Sequence, residues 1–123
     1  MQIRILRLDG SVVLEAELYR EWAPLNYEII SAILPAKARA YPLDSYAIYF
    51  TLGVRVLLEK PYEQAGPGDV IVIPYTNSIA VVLEPVEKIR FKSTLIGKAT
   101  SNLELLRELK KGEPMIVDRK SWR

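Results

Sequence analysis

The chemistry open to this chain is bounded by the reactive residues that it lacks. Its 123 residues include no Cys and no His. Thiolate nucleophiles, Ser-His-Asp triads, imidazole general bases and thiolate or imidazole metal sites are therefore excluded. Only oxygen ligands remain for a metal, and no calcium-loop pattern is present, so we expect no metal and no cofactor. Asp, Glu, Lys, Arg, Tyr, Ser and Thr are left for catalysis or binding.

Aromatic residues in the middle of the chain are the first candidates for binding. Tyr41, Tyr49 and Tyr75 fall in or beside segments with a strand pattern. Packing in the core or at the rim of a sheet is the ordinary role of such residues. The alternative is a cleft that holds an apolar or planar ligand, with Tyr hydroxyls and the Asn77 amide setting its orientation.

Arg39 is the candidate cation of such a cleft. It alternates with Ala38 and Ala40, and a guanidinium can hold a carboxylate or a carbonyl oxygen. Two plainer roles stay open, namely a solvent-facing strand position and a structural pair with Asp44. No catalytic residue is assigned. The ligand-binding candidates are Arg39, Tyr41, Tyr49, Tyr75 and Asn77.

Carboxylate-pair catalysis is not predicted. Such a mechanism needs two acids that converge on one site with separated pKa values. Four carboxylates lie near the ends of predicted strands, but nothing in the sequence places two of them together: Asp44, Glu59, Asp69 and Glu84.

Alternation of apolar and polar residues predicts that most of the chain is strand. Two β-rich runs joined by Asp9-Gly10 indicate a hairpin with a type I′ turn. The runs 70–73 and 79–83 are apolar throughout, which predicts strands buried on both faces. The predicted strands are 2–8, 11–18, 36–41, 45–51, 54–59, 70–73, 79–83, 94–100 and 115–118.

Two helices complete the predicted elements. Pro24 can begin a helix over 24–33 that places Leu25, Ile29 and Ile33 on one face. Ser101 and Glu104 form a capping-box pattern that predicts a second helix over 102–111. We predict one domain over residues 1–123, mainly β, a closed barrel of about eight strands flanked by these two helices, with 119–123 as a basic tail.

Charge and hydropathy narrow the expected partners. The net charge of +2 argues against a dedicated nucleic-acid protein, although residues from Val86 onward carry ten Lys or Arg against five Asp or Glu. No apolar run approaches the ~20 residues of a membrane span. The first residues lead into a strand pattern rather than a signal peptide. We therefore expect a cytoplasmic protein with no membrane partner, and a homodimer stays open.

Two stretches resemble the cyclophilins. The helix start Ala23-Pro24-Leu25 looks like the segment where Ala-Pro begins their first helix. The run 96–109, from Ile96-Gly97 to Leu109, matches their pattern F-G-x-V-x-x-G-x-x-V-V-x-x-I in spacing, with Asn102 in place of the second Gly. Together with the short chain, this resembles the small prokaryotic and archaeal cyclophilin-like family of uncharacterised proteins, and it implies their closed barrel.

The resemblance does not carry the isomerase site. The cyclophilin signature F-H-R-V-I-P-x-F-M-x-Q-G-G-D has no counterpart where it is expected, over residues 39–50. We therefore expect a binding module that recognises a small molecule or an extended peptide in a cleft on the barrel. One alternative is a divergent peptidyl-prolyl isomerase with weak or no activity. The third is an oligomerisation or scaffold protein.

Overall fold

The alternating strands of the sequence close into a barrel. The computed structural model describes residues 1–120, among which eight strands pair antiparallel in the closed order β1-β2-β7-β5-β6-β4-β3-β8. One α-helix, α1 (Pro24–Ile33), follows β2, and two short 3-10 helices cover Pro74–Thr76 and Glu104–Glu108. The strands are β1 Gln2–Arg7, β2 Val12–Leu18, β3 Ala36–Leu43, β4 Ala47–Thr51, β5 Asp69–Ile73, β6 Ser78–Val82, β7 Thr94–Ala99 and β8 Glu113–Arg119.

Two apolar clusters lie on the two faces of this barrel. The interior holds the inward residues of every strand, with Phe50, Ile79 and Met115 fully buried. A second cluster lies outside β4, β5 and β6, where residues 84–93 cover their outer faces. This second cover explains why β5 and β6 are buried at every position, as predicted.

The first hairpin is confirmed, but its turn is not type I′. Only Gly10 in the turn has a positive φ, at 91°. The Gly10 amide donates to the Arg7 carbonyl, and the Arg7 amide donates to the Ser11 carbonyl, both at 2.9 Å. This pattern is a turn followed by a glycine bulge, in which Asp9 Oδ1 accepts the Ser11 amide at 2.8 Å.

Helix α1 is confirmed over the predicted residues, but its buried face is different. Asn26 and Ile30 are fully buried, whereas Leu25 is 57% exposed. Ile29 and Ile33 pack at the border of the core. A polar residue therefore occupies the centre of the helix interface, which apolar periodicity alone does not detect.

The second predicted helix is wrong as an α-helix. Residues 104–108 form a short 3-10 helix that ends at Leu109 in an extended conformation. Ser101 does not cap it, because its Oγ accepts the Glu15 amide of β2 at 2.9 Å. Leu106 is nevertheless fully buried in the core.

The predicted strand over 54–59 is also absent. Side chains, and not a neighbouring strand, hold this segment: Asn77 Oδ1 accepts the Val56 amide at 3.2 Å, and Asn26 Oδ1 accepts the Leu57 amide at 2.8 Å. The Glu59 amide donates to Thr94 Oγ1 at 3.0 Å. The segment therefore has no strand partner.

The last strand extends into the predicted basic tail. Arg119 belongs to β8, and residues 121–123 of the predicted basic tail lie outside the described residues. No helix within 1–120 combines the length and apolar character that a membrane span requires.

Candidate functional site

Strands β3 and β4 place three of the five candidate residues on one outer surface. Ala38 and Ala40 point into the barrel, so the alternation of β3 turns Arg39 and Tyr41 outward. Tyr41 lies opposite Tyr49 of β4, and their rings stack with centroids 5.4 Å apart. Thr51 lies beside Arg39, whose amide donates to Thr51 Oγ1 at 3.2 Å.

The guanidinium of Arg39 is oriented by a backbone carbonyl. Its Nη1 donates to the Gly112 carbonyl at 2.8 Å. Gly112 is held in turn, because its amide donates to the Ala40 carbonyl at 2.7 Å. Asp44 pairs with Arg90 at 3.3 Å, so the alternative of an Arg39–Asp44 pair is wrong. The Nε and Nη2 edge of Arg39 makes no hydrogen bond within residues 1–120.

A groove of ≈ 480 Å³ adjoins this guanidinium. Lys37 supplies a second cation, and no Asp or Glu lines the groove among the described residues. We call it the Arg39 groove, and its lining residues are Leu8, Lys37, Ala38, Arg39, Thr51, Gly53, Pro114 and Met115. Its chemistry suits an anion or a carbonyl oxygen with an apolar neighbour.

Tyr75 and Asn77 lie at the β5–β6 connection, not among the lining residues of the Arg39 groove. Tyr75 is 77% exposed and stacks on Phe91, with ring centroids 4.7 Å apart. Asn77 has a left-handed conformation with φ of 48°, and its Oδ1 accepts a hydrogen bond from the Val56 amide. A role in binding stays a prediction for both residues.

A second hollow surface lies beside residues 58–63. Two adjoining hollows of ≈ 380 and ≈ 370 Å³ share Pro61 and Tyr62 as their common wall. We call the pair the Tyr62 cleft. One hollow is lined by Glu21, Trp22, Lys60, Pro61, Tyr62 and Leu95, and the other by Leu58, Pro61, Tyr62, Glu63, Lys88, Ile89, Arg90, Phe91, Lys92 and Ser93.

The wall of the Tyr62 cleft is fixed by the buried carboxylate of Asp69. Tyr62 Oη donates to Asp69 Oδ2 at 2.8 Å, the Gly66 amide donates to the same oxygen at 2.9 Å, and Lys98 pairs with Oδ1. Burial raises the pKa of Asp69, but these three donors outweigh it and hold the pKa below the usual 3.8. Burial and the neighbouring Asp69 raise the pKa of Tyr62 to about 12.

The other carboxylates near strand ends have separate structural partners. Glu59 accepts the first amides of α1, from Leu25 at 2.8 Å and Asn26 at 2.9 Å, and so caps that helix from a distant segment. Glu84 lies 3.7 Å from Arg107. Within residues 1–120 no three Asp or Glu side chains cluster as metal ligands would.

The sequence did not point to Trp22, Tyr62 and Leu95 as residues of a cleft. The one available signal was the turn-rich stretch 60–68, since loops carried by a rigid barrel commonly hold binding residues. Trp22 and Leu95 become neighbours of that loop only through the closure of the barrel.

Comparison with known proteins places the fold. No family model matches the chain. Human kinetochore-associated protein 1 is 30% identical over 81 residues, a match that spans 65% of this chain and 3% of that protein. A hypothetical protein of Archaeoglobus fulgidus, solved in solution, is 29% identical with a TM-score of 0.75 and covers 98% of this chain and 95% of its own.

Two further solved structures have the same architecture at lower identity. McbB, in complex with tryptophan, has a TM-score of 0.75 at 16% identity over 98% of this chain and 45% of its own. A cyclophilin-type peptidyl-prolyl isomerase of Cryptosporidium parvum, solved in the presence of the dipeptide Ala-Pro, has a TM-score of 0.63 at 15% identity over 98% of this chain and 99% of its own. The barrel is therefore cyclophilin-like in fold, which confirms that part of the resemblance.

Proposed function

We propose that this protein is a binding module that holds the carboxylate of a small molecule or short peptide in the Arg39 groove. The observation that carries the proposal is the fixed guanidinium of Arg39. One of its nitrogens is anchored on the Gly112 carbonyl, Nε and Nη2 make no hydrogen bond within residues 1–120, and Arg39 lines the groove. That edge matches a carboxylate with two parallel hydrogen bonds.

The surroundings of Arg39 favour an anion with an apolar neighbouring group. Lys37 adds a second positive charge, and no carboxylate of the described lining competes for either cation. Leu8 and Pro114 supply apolar contact, and the Tyr41–Tyr49 stack borders Arg39 on the outer face of β3 and β4. Because the guanidinium is anchored before a ligand arrives, less side-chain conformational entropy is lost on binding.

The ligands of two fold neighbours supply the probes for a test. Tryptophan and the dipeptide Ala-Pro each combine one free carboxylate with a ring. We expect each of them to shift the backbone amide resonances of Lys37, Arg39 and Thr51 in a 1H-15N titration. Tryptamine and Ala-Pro amide, which lack the carboxylate, should bind at least about tenfold more weakly, because a charge-assisted bidentate pair is lost.

The matched variants are Arg39→Gln and Lys92→Gln. Arg39→Gln should weaken carboxylate binding by about tenfold or more, whereas Lys92→Gln, in the Tyr62 cleft, should leave it unchanged. Equal affinity for the acid and its amide, or shifts that avoid the Arg39 groove, would contradict the proposal.

A further inference from the structure

We propose that the Tyr62 cleft is a docking site for an extended segment of a partner protein, in which an apolar side chain is flanked by acidic residues. This site is separate from the Arg39 groove and does not depend on the function proposed for it. The two hollows of the cleft meet at Pro61 and Tyr62, so two side chains of one bound strand that are separated by one residue have room on either side of a single wall.

Exposed apolar side chains gather around the cleft. Of the seven large hydrophobic residues exposed within 1–120, four lie on two neighbouring stretches: Trp22, Leu25, Leu57 and Leu58. Glu59 and Asn26 hold these two stretches together, because Glu59 accepts the amide of Leu25 and Asn26 Nδ2 donates to the Leu57 carbonyl at 2.7 Å. Trp22 and Leu58 line the cleft itself, and exposed apolar side chains beside a cleft are typical of a surface that contacts another protein.

The charges beside the cleft select an acidic partner. Lys88 and Lys92 line the second hollow with no ion-pair partner among the described residues, and Lys60 lines the first. Arg90 is already paired with Asp44 and lies over the Phe91 ring at 5.1 Å. Glu21 and Glu63 offset part of the positive charge, so the cleft favours a few carboxylates among apolar groups and not a polyanion.

The cleft is formed before any partner arrives. Pro61 bridges to Thr94, and Ala65 bridges to Val86. The Tyr62 amide donates to the Ser93 carbonyl at 2.9 Å, and Ser93 Oγ donates to the Tyr62 carbonyl at 3.0 Å. With Asp69 holding the Tyr62 hydroxyl, both the backbone and the ring of the dividing wall are fixed, which favours binding without reorganisation.

A set of labelled peptides tests the proposal. The probe is an eight-residue peptide with one Trp and one Leu separated by one residue, and with Asp or Glu at the remaining positions. One control replaces every acid by Lys, and a second replaces Trp and Leu by Ser. We expect the acidic apolar peptide to shift the amides of Trp22, Tyr62, Lys88 and Phe91, and to bind at least about tenfold more tightly than either control.

Variants of this protein localise the contact. Lys88→Glu with Lys92→Glu should weaken the acidic peptide about tenfold or more and strengthen the Lys peptide, while Lys37→Glu in the Arg39 groove changes neither. Trp22→Ala should weaken the acidic and the Lys peptide alike. The two charge variants alter exposed side chains, so they keep the test valid if Trp22→Ala does not fold.

Three results would contradict the proposed docking site. The proposal is overturned if the acidic peptide produces no shifts at the cleft at about 1 mM, or if oligo(dT) binds there more tightly than the peptide. It is also overturned if sedimentation shows a dimer of the wild type that Trp22→Ala dissociates, because the occupant is then a second copy of this chain. Loss of carboxylate binding in Arg39→Gln has no bearing on it.

Discussion

Asp69 shows how a residue with candidate chemistry can serve structure instead. It lies at the start of a buried strand, where an unpaired carboxylate would cost several kcal/mol. Three donors from different parts of the chain, Tyr62, Gly66 and Lys98, satisfy it. Because the loop that carries Tyr62 and Gly66 also forms the wall of the Tyr62 cleft, this one carboxylate fixes the cleft to the barrel.

We expect Asp69→Asn to lower the free energy of unfolding by about 2 kcal/mol near neutral pH. The amide can still accept from Tyr62 or Gly66, but its NH₂ group then faces the ammonium of Lys98. Urea unfolding measures the loss. Asp44→Asn is the matched control, since Asp44 makes an exposed pair with Arg90 and has a φ of 50° that Asn also tolerates, so a change within about 0.5 kcal/mol is expected.

The contribution of Asp69 also has a defined pH dependence. Its pKa in the folded protein lies below the usual 3.8, so the stabilisation is fully present above about pH 4. It declines as the pH falls through the folded-state pKa. The difference in stability between wild type and Asp69→Asn should therefore shrink below pH 4. A difference that stays constant down to pH 2 would contradict this role.

For some of the candidate binding residues the sequence predicted the orientation of the side chain, and for none of them did it predict the hydrogen-bond partner. Alternation along β3 predicted that Arg39 and Tyr41 lie on the face opposite Ala38 and Ala40, whereas the position of Tyr49 beside Tyr41 follows from the pairing of β3 with β4. The anchoring of Arg39 on Gly112 was not predictable, because these two residues are 73 positions apart along the chain and meet only where β3 pairs with β8. Asn77 was named for its amide, which the fold uses to hold Val56.

At the scale of elements, the two errors have one physical origin. Residues 54–59 and 102–111 each have a suitable local pattern, yet hydrogen bonds from distant side chains determine their conformation. Asn26, Asn77 and Thr94 take the amides that a strand would give to a neighbour. Ser101, expected to cap a helix, instead accepts an amide of β2. Local periodicity contains no information about these partners.

A substitution at Gly97 tests how closely β2 and β7 pack against each other. A Cβ added there would lie 2.1 Å from the Glu17 carbonyl oxygen and 2.9 Å from Leu18 Cδ2, so β2 and β7 pair closely only around a glycine. We expect Gly97→Ala to destabilise the protein by about 3 kcal/mol, because backbone must shift and the closed barrel cannot open locally. Thermal and urea unfolding measure the effect.

Gly66→Ala is the control for Gly97→Ala. No atom lies within 4 Å of the added Cβ at Gly66, and its φ is not in the left-handed region. The substitution should change stability by less than about 1 kcal/mol. Equal effects of the two substitutions would show that β2 and β7 are not in close contact at Gly97.

At the scale of the whole molecule, barrel closure was predictable where individual contacts were not. Many short strands without βα alternation must manage their edges, and closing the sheet removes those edges. Closure also fills the interior with side chains such as Phe50 and Ile79, and most residues that line the two candidate sites lie outside that interior. The order of the strands required the structure, because β7 inserts between β2 and β5.

Prolyl isomerisation is the alternative activity that the sequence left open, and we expect it to be weak or absent. Amide rotation has a barrier of roughly 18–20 kcal/mol, and a misplaced hydrogen-bond donor of the oxyanion type costs ~10²–10³ in rate. Arg39 supplies a guanidinium, but Tyr41 and Tyr49 stack on each other, and the described lining of the groove includes no aromatic ring against which a proline could pack.

An NMR exchange assay on an Ala-Pro peptide should show wild type and Arg39→Ala within about tenfold of the uncatalysed rate. Acceleration by several orders of magnitude in wild type, lost in Arg39→Ala, would make this protein an isomerase whose Arg39 polarises the peptide carbonyl.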